Sequence, residues 1–113
     1  MLDFFDKYSE SSYAYKDKRC WPIILKTSKN FIFNTLKELL PDYGFNDITI
    51  NNDFAECYFE QEGCEITLTL INNESNIQIN TSIYCNKIGK TYKKLKQINN
   101  LLNEIFDGFI VER

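Results

Sequence analysis

The stretch FAECYFEQEGCEITLTLINNESNIQINTSIYC, residues 54–85, alternates apolar and polar residues with a period of two through three successive segments. Successive side chains of a β-strand point to opposite faces. Ala55, Cys57 and Phe59 therefore fall on one side of the first segment, and Phe54, Glu56, Tyr58 and Glu60 on the other. Gln61-Glu62-Gly63-Cys64 has the composition of a tight hairpin. With Glu62 and Gly63 as its two loop residues, Gln61 faces Cys64, Phe59 faces Ile66, Cys57 faces Leu68 and Ala55 faces Leu70. The next connection, Asn72-Asn73-Glu74-Ser75, is rich in turn formers. A loop centred on Asn73 and Glu74 sets Leu70 opposite Ile77, Leu68 opposite Ile79 and Cys64 opposite Ile83. Both turns assemble the same apolar face, whereas a slip of one residue would turn a strand inside out. The stretch is therefore expected to be an antiparallel meander.

On its N-terminal side, Phe45 to Ile50 reads as a short strand. Its Ile48 and Ile50 share the face of Cys57 and Ala55 across an Asn51-Asn52-Asp53 loop, which makes the sheet four-stranded, over residues 45–85. Before it, Ser28 is a good N-cap, and Ile32, Leu36, Leu39 and Leu40 recur at helical spacing until Pro41, giving a helix over 28–40. After Cys85 the period lengthens, and Ile88, Tyr92, Leu95, Ile98, Leu102, Ile105 and Phe106 form one stripe of a helix over 88–107. Either Asn86 caps that helix or Gly89 sits in a preceding turn, and Gly108 stands at its C-terminal cap. The expected fold is α+β: a four-stranded antiparallel β-meander with two helices, before and after it in sequence, packed on one face, the other face being acidic and exposed. The first 27 residues are rich in aromatics without a sustained period. Leu2, Phe5 and Tyr8 suit a short amphipathic helix, Pro22-Ile23-Ile24-Leu25 suits an edge strand or a helical first turn, and the remaining aromatics suit a lid over the core.

At 113 residues, the chain is expected to be one domain spanning 1–113, with 43% apolar and 26% charged residues and no apolar run near the roughly 20 residues that a membrane span needs. Its first residues, Met1 to Asp6, mix acids into an apolar patch without a basic lead, so a cytoplasmic location is expected. Cys20, Cys57, Cys64 and Cys85 lack zinc-site spacing, and there is no histidine. In the register above Cys64 and Cys85 are only diagonal neighbours, roughly 7 to 8 Å apart, so all four are expected to be buried, reduced thiols.

The charges carry the functional clue. From Phe45 to Asn86 there are seven acids, Asp47, Asp53, Glu56, Glu60, Glu62, Glu65 and Glu74, and no Lys or Arg, while Lys87, Lys90, Lys93, Lys94 and Lys96 crowd the start of the last helix. In the expected register Glu56, Glu60 and Glu65 surround Tyr58 on the outward face. Acids mixed with exposed aromatics suit a basic protein partner, so Glu56, Tyr58, Glu60, Glu62, Glu65 and Thr67 are the expected partner-binding residues. The lysines read as a solvated helix face without zinc-finger, helix-turn-helix or aromatic RNA-binding motifs, so neither direct nucleic-acid nor membrane binding is expected.

No residue pattern supplies a reaction. Without histidine the commonest general base and the Ser-His and Cys-His nucleophile pairs are absent, and no phosphate-binding glycine motif occurs. The expectation is a non-enzyme without a cofactor, a small acidic inhibitor of the immunity-protein or antitoxin type that docks on a basic protein such as a toxin nuclease. The order helix, meander, helix is similar to that of secretion chaperones, which bind extended client segments on their sheets. That resemblance implies the alternative of a chaperone-like adaptor for a secreted client, and a structural or assembly subunit is a third reading. The strand from Asn76 to Tyr84 has no charge and no proline, so as an edge it is expected to pair with a second copy in a homodimer, with the Pro22 to Leu25 segment or with the partner.

Overall fold

The computed structural model of the protein describes residues 7–111. They form an α+β fold in which two helices accompany a six-stranded antiparallel sheet, ordered β1-β6-β5-β4-β3 with β2 also paired to β6. The strands are β1 (Tyr8–Glu10), β2 (Ile23–Leu25), β3 (Asn46–Asn51), β4 (Glu56–Gln61), β5 (Cys64–Asn73) and β6 (Asn76–Cys85), and the helices are α1 (Lys29–Leu39) and α2 (Thr91–Ile105).

Both β1 and β2 come from the N-terminal segment and add two strands to the expected four. Tyr8 lies in β1 and not in a helix, whereas Leu2 and Phe5 lie outside the described residues. The two short strands share one edge of β6: Tyr8 to Glu10 pair with Tyr84 to Ser82, and Ile23 to Leu25 with Ile79 to Ile77. Of the pairings expected for this uncharged edge, the structure shows the one with the Pro22 to Leu25 segment, joined on the same edge by Tyr8 to Glu10. On its far side β2 meets the chain end, where Lys26 N donates to the Phe109 carbonyl at 2.8 Å and Val111 N to that of Ile24 at 2.9 Å.

The first hairpin has the expected register, Gln61 with Cys64, Phe59 with Ile66 and Cys57 with Leu68. Glu62 at φ 53° and Gly63 at φ 78° both occupy the left-handed region that a two-residue turn of matching twist requires. The second hairpin turns one residue later than expected. Asn73 pairs with Asn76, leaving Glu74 and Ser75 as the loop, and Leu70 meets Ile79 where Ile77 was expected. Sliding a two-residue turn by one position moves every partner by two, so each side chain keeps its face while each pair changes. The apolar face survives intact, and Cys85 arrives opposite Cys64.

That shift overturns the expectation of four thiols: Cys64 and Cys85 form a disulfide, with Cα atoms 4.1 Å apart. Asn86 N donates to the Gly63 carbonyl at 3.1 Å, one residue beyond the pair on each strand, which marks a non-hydrogen-bonded pair, the closer of the two antiparallel pair types. Cys20 and Cys57 are free and buried, and burial pushes the Cys57 thiol up to about 12.

One cluster of buried residues unites Cys57, Phe59, Ile66, Leu68, Ile77, Ile79 and Ile83 of the sheet with Ile32 and Leu36 of α1 and Leu95, Ile98 and Leu102 of α2. Ser28 Oγ accepts from Phe31 N at 3.2 Å at the start of α1. α2 begins at Thr91, not at residue 88, because Gly89 holds a left-handed turn at φ 81°, and Ile88, expected in the stripe, is 55% exposed. A buried polar network ties the N-terminal segment to this core. Asn99 accepts from Thr81 Oγ1 at 2.9 Å and donates to the carbonyls of Arg19 at 2.8 Å and Trp21 at 3.2 Å, while Ser9 and Thr91 hydroxyls meet at 2.7 Å.

Candidate functional site

The face of the sheet opposite the buried cluster is built from the polar half of each strand's alternation. Glu56, Tyr58 and Glu60 of β4 lie beside Glu65, Thr67 and Thr69 of β5, with Glu60 directly opposite Glu65, Tyr58 opposite Thr67 and Glu56 opposite Thr69. Five of the six residues expected to meet a partner therefore share one face. The sixth, Glu62, stands in the hairpin turn and reaches the helix side, where its Oε1 lies 3.8 Å from Lys94 Nζ.

Tyr58 is the hub of this face. Its hydroxyl lies 2.7 Å from Glu60 Oε1 and 2.9 Å from Glu65 Oε1. A phenol has one proton and can donate to only one of the two carboxylates at a time. Bonding to Glu60 foremost, then desolvation and the bond to Glu65, pushes the phenol well above its ordinary value, because ionisation would place a third negative charge between two carboxylates. None of the six strands contains a Lys or Arg. The paired acids of the sheet thus have no cation on their own strands.

Three residues of this face escaped the sequence reading, Tyr8, Glu10 and Tyr84. β1 brings Tyr8 and Glu10 onto the same face, Tyr8 opposite Tyr84 and Glu10 opposite Ser82, so a row Tyr8, Tyr84, Glu65, Glu60 crosses four strands. The Tyr8 hydroxyl donates to Glu10 Oε2 at 3.2 Å or to Ser82 Oγ at 3.3 Å. Tyr8 and Tyr84 are each about half exposed, at 49% and 46%. The only signal available for β1 was the three-residue alternation Tyr8-Ser9-Glu10, too short to separate a strand from a loop.

No family model, no curated protein and no solved structure matches the chain. The geometry therefore carries the functional argument.

At the end of the β4–β5 hairpin two clefts lie back to back. The acidic one, about 360 Å³, is lined by Asp47, Glu60, Glu62 and Glu65 together with Asn46 and Asn86. Asp47 reaches it through a bulge in β3 between Asn46 and Thr49, with φ 55° at Asp47 itself. The basic cleft, about 420 Å³, is lined by Lys87, Lys90, Lys93 and Lys94 with Gln97, Glu62, Asn86 and the Cys64–Cys85 disulfide. The lysines were expected to be spread around a solvated helix. Positions 90, 93, 94 and 97 instead recur at three- and four-residue spacing, which places them on one side of α2 facing the hairpin. Lys96 stands apart, its Nζ 4.3 Å from the centre of the Tyr92 ring. Among the described residues, no group of three or more His, Cys, Asp or Glu side chains is placed to hold a metal ion, and no helix is long and apolar enough to cross a membrane.

Proposed function

We propose that this protein is a small non-catalytic binding module whose outward sheet face docks on a basic protein and occludes it, as an immunity protein or antitoxin covers a toxin nuclease. The observation that supports it most is the Tyr58 hydroxyl shared between Glu60 and Glu65, in a sheet whose strands contain no Lys or Arg. Opposed carboxylates on neighbouring strands repel each other by roughly 0.2 to 1 kcal/mol, and one phenolic proton relieves only half of the pair. A guanidinium or ammonium from a partner supplies the missing donor, and Tyr8, Tyr58 and Tyr84 offer the aromatic surface that interface centres favour. Glu56, Thr67 and Glu10 extend the patch, and Glu62 marks its edge.

A chaperone-like adaptor would hold an extended client segment, and of the two strands that end the sheet order β3 is the longer at which one could add, β1 having three residues. The bulge at Asp47 and the polar residues Asn46, Asp47, Thr49 and Asn51 blunt that edge. Docking on the face is therefore preferred to strand addition.

The test is a capture experiment with two baits, the wild-type chain and the Glu60→Lys/Glu65→Lys variant, in lysate of the native host. The expected result is a basic protein held by the wild type, released by salt and absent from the variant, whose own activity falls when purified wild type is added back. The same proteins on both baits, or a captured protein whose activity is untouched by the complex, would contradict inhibition through this face.

A further inference from the structure

The lysine-lined cleft on the helix side of the hairpin belongs to neither the sheet face nor the core. Lys87, Lys90, Lys93 and Lys94 line a space of about 420 Å³, and among the described residues the one acid in its walls is Glu62, with 77% of its side chain exposed. Four positive charges against one negative leave a surplus of three. The cleft also lies beside the start of α2, where the helix dipole disfavours cations. That helix has no acid in its first turn and no side-chain cap, its capping position being Lys90 itself. Lys94 goes further: only 9% of it is exposed, and its Nζ reaches Gln61 Oε1 at 2.9 Å and Glu62 Oε1 at 3.8 Å. Lys94 is thus a nearly buried cation in a cleft it shares with three others beside a positive helix end, and a multiply charged anion meets an attractive charge in each of them.

We propose that this cleft is a binding site for a small polyphosphate anion, an inorganic polyphosphate or the polyphosphate end of a nucleotide. The chemistry of the walls selects among anions. The four lysines are compact point charges that suit the dispersed oxygens of a phosphate chain, and among the described residues no arginine in the walls offers the planar fork that pairs with a carboxylate. Among the described residues no aromatic ring lines the cleft, so none of them stacks a base there, and recognition rests on the phosphates. The shape is held from both sides. The Cys64–Cys85 disulfide forms part of the wall, and the Asn86 side chain lies so close over the hairpin turn that a Cβ at Gly63 would come within 2.8 Å of its Oδ1. This site shares Glu62 with the edge of the docking face, and its lysines stand on the helix side of the hairpin.

Calorimetric titration of tripolyphosphate into the disulfide-intact chain at low ionic strength tests the proposal, with ATP, orthophosphate and a tetraglutamate peptide titrated in parallel. One tripolyphosphate per chain is expected, with at least tenfold weaker binding to Lys90→Glu/Lys93→Glu, whose altered side chains are exposed and leave the core untouched. Lys96→Glu, which removes an equal kind of charge outside the cleft, should change the affinity less than twofold. ATP binding as well as tripolyphosphate assigns the site to nucleotide phosphates as readily as to inorganic chains, and ATP failing restricts it to the latter; both sustain the site. Because the disulfide lines the cleft, bound tripolyphosphate should also slow reduction of Cys64–Cys85 by dithiothreitol in the wild type and not in the double variant. Absence of binding at millimolar tripolyphosphate, equal weakening by Lys96→Glu, or tetraglutamate binding as tightly as tripolyphosphate would each overturn it.

Discussion

Phe59 has none of its surface exposed and packs edge-on against Phe45 with ring centres 5.0 Å apart, so truncating it leaves a cavity on both sides. Phe59→Ala should cost about 3 to 5 kcal/mol in a urea denaturation, and a loss below 1 kcal/mol would contradict the inward register of β4. Asn99 makes its contribution through bonds: the side chain is 1% exposed and serves Thr81, Arg19 and Trp21 at once. Asn99→Ala leaves those groups short of a buried partner and should cost about 1 to 3 kcal/mol in the same experiment. Tyr58 gives a pH signature. Its phenol is raised above the ordinary value near 10, foremost by Glu60, so the stability it contributes is complete below pH 10 and is lost as the pH rises through the folded-state value. In an ultraviolet phenol titration, Tyr58→Phe should remove a group that ionises late. An unchanged alkaline limb would show that the two carboxylates do not hold the proton as described.

The hairpins show how far a pattern of alternation reaches and where it stops. Period two assigns faces, and the inward set from Cys57 to Ile83 was readable for that reason. It says nothing about shifts of two residues, because those preserve every face, and so it missed the pairing of Cys64 with Cys85. Glu62-Gly63 announced its turn through glycine, whereas Glu74 takes φ 58° without one, and nothing in Asn72 to Ser75 marks which two residues form the loop. β1 was illegible for a related reason, and β2 was readable only as one of two alternatives, an edge strand or a helical first turn. Three-residue strands have too few alternations to be seen, and they exist because β6 offers a partner, a fact of tertiary structure. The acids of β4 and β5 could be placed from sequence because their strands could be. The lysine cleft could not, since it needs the start of α2 and the position of the hairpin together. The disulfide has a direct check. Thiol titration in denaturant should count two thiols without reductant and four after reduction, and a count of four at the outset would contradict the pairing. Closing a loop over a sequence separation of 21 residues constrains the unfolded chain by about 3 kcal/mol, so reduction should lower the melting temperature measurably.

The net charge of -3 conceals a molecule divided by sign. The strands carry Glu10, Asp47, Glu56, Glu60 and Glu65 without a base, and the lysines of residues 87–94 gather on the far side of one hairpin. Under the two proposals such a division would steer a basic protein and a polyanion to two places, with both encounters sensitive to salt. The sequence places Glu56, Glu60 and Glu65 on one sheet face, and the structure adds Tyr8, Glu10 and Tyr84 beside them through the β6 edge. The docking account stands or falls on the opposed pair Glu60 and Glu65. Replacing Glu65 with Lys removes a like-charge contact while Tyr58 keeps its bond to Glu60, so the isolated protein should gain about 0.2 to 1 kcal/mol. The same change puts a cation where the proposed basic partner would dock. The most direct measurement is the association rate of a captured basic partner with wild type and with Glu65→Lys, over a series of salt concentrations, beside thermal melts of both chains. The expected outcome is a variant that melts slightly higher, associates more slowly and loses most of the salt dependence of the wild type; a variant that melts lower and associates at the wild-type rate at every salt concentration would contradict the account.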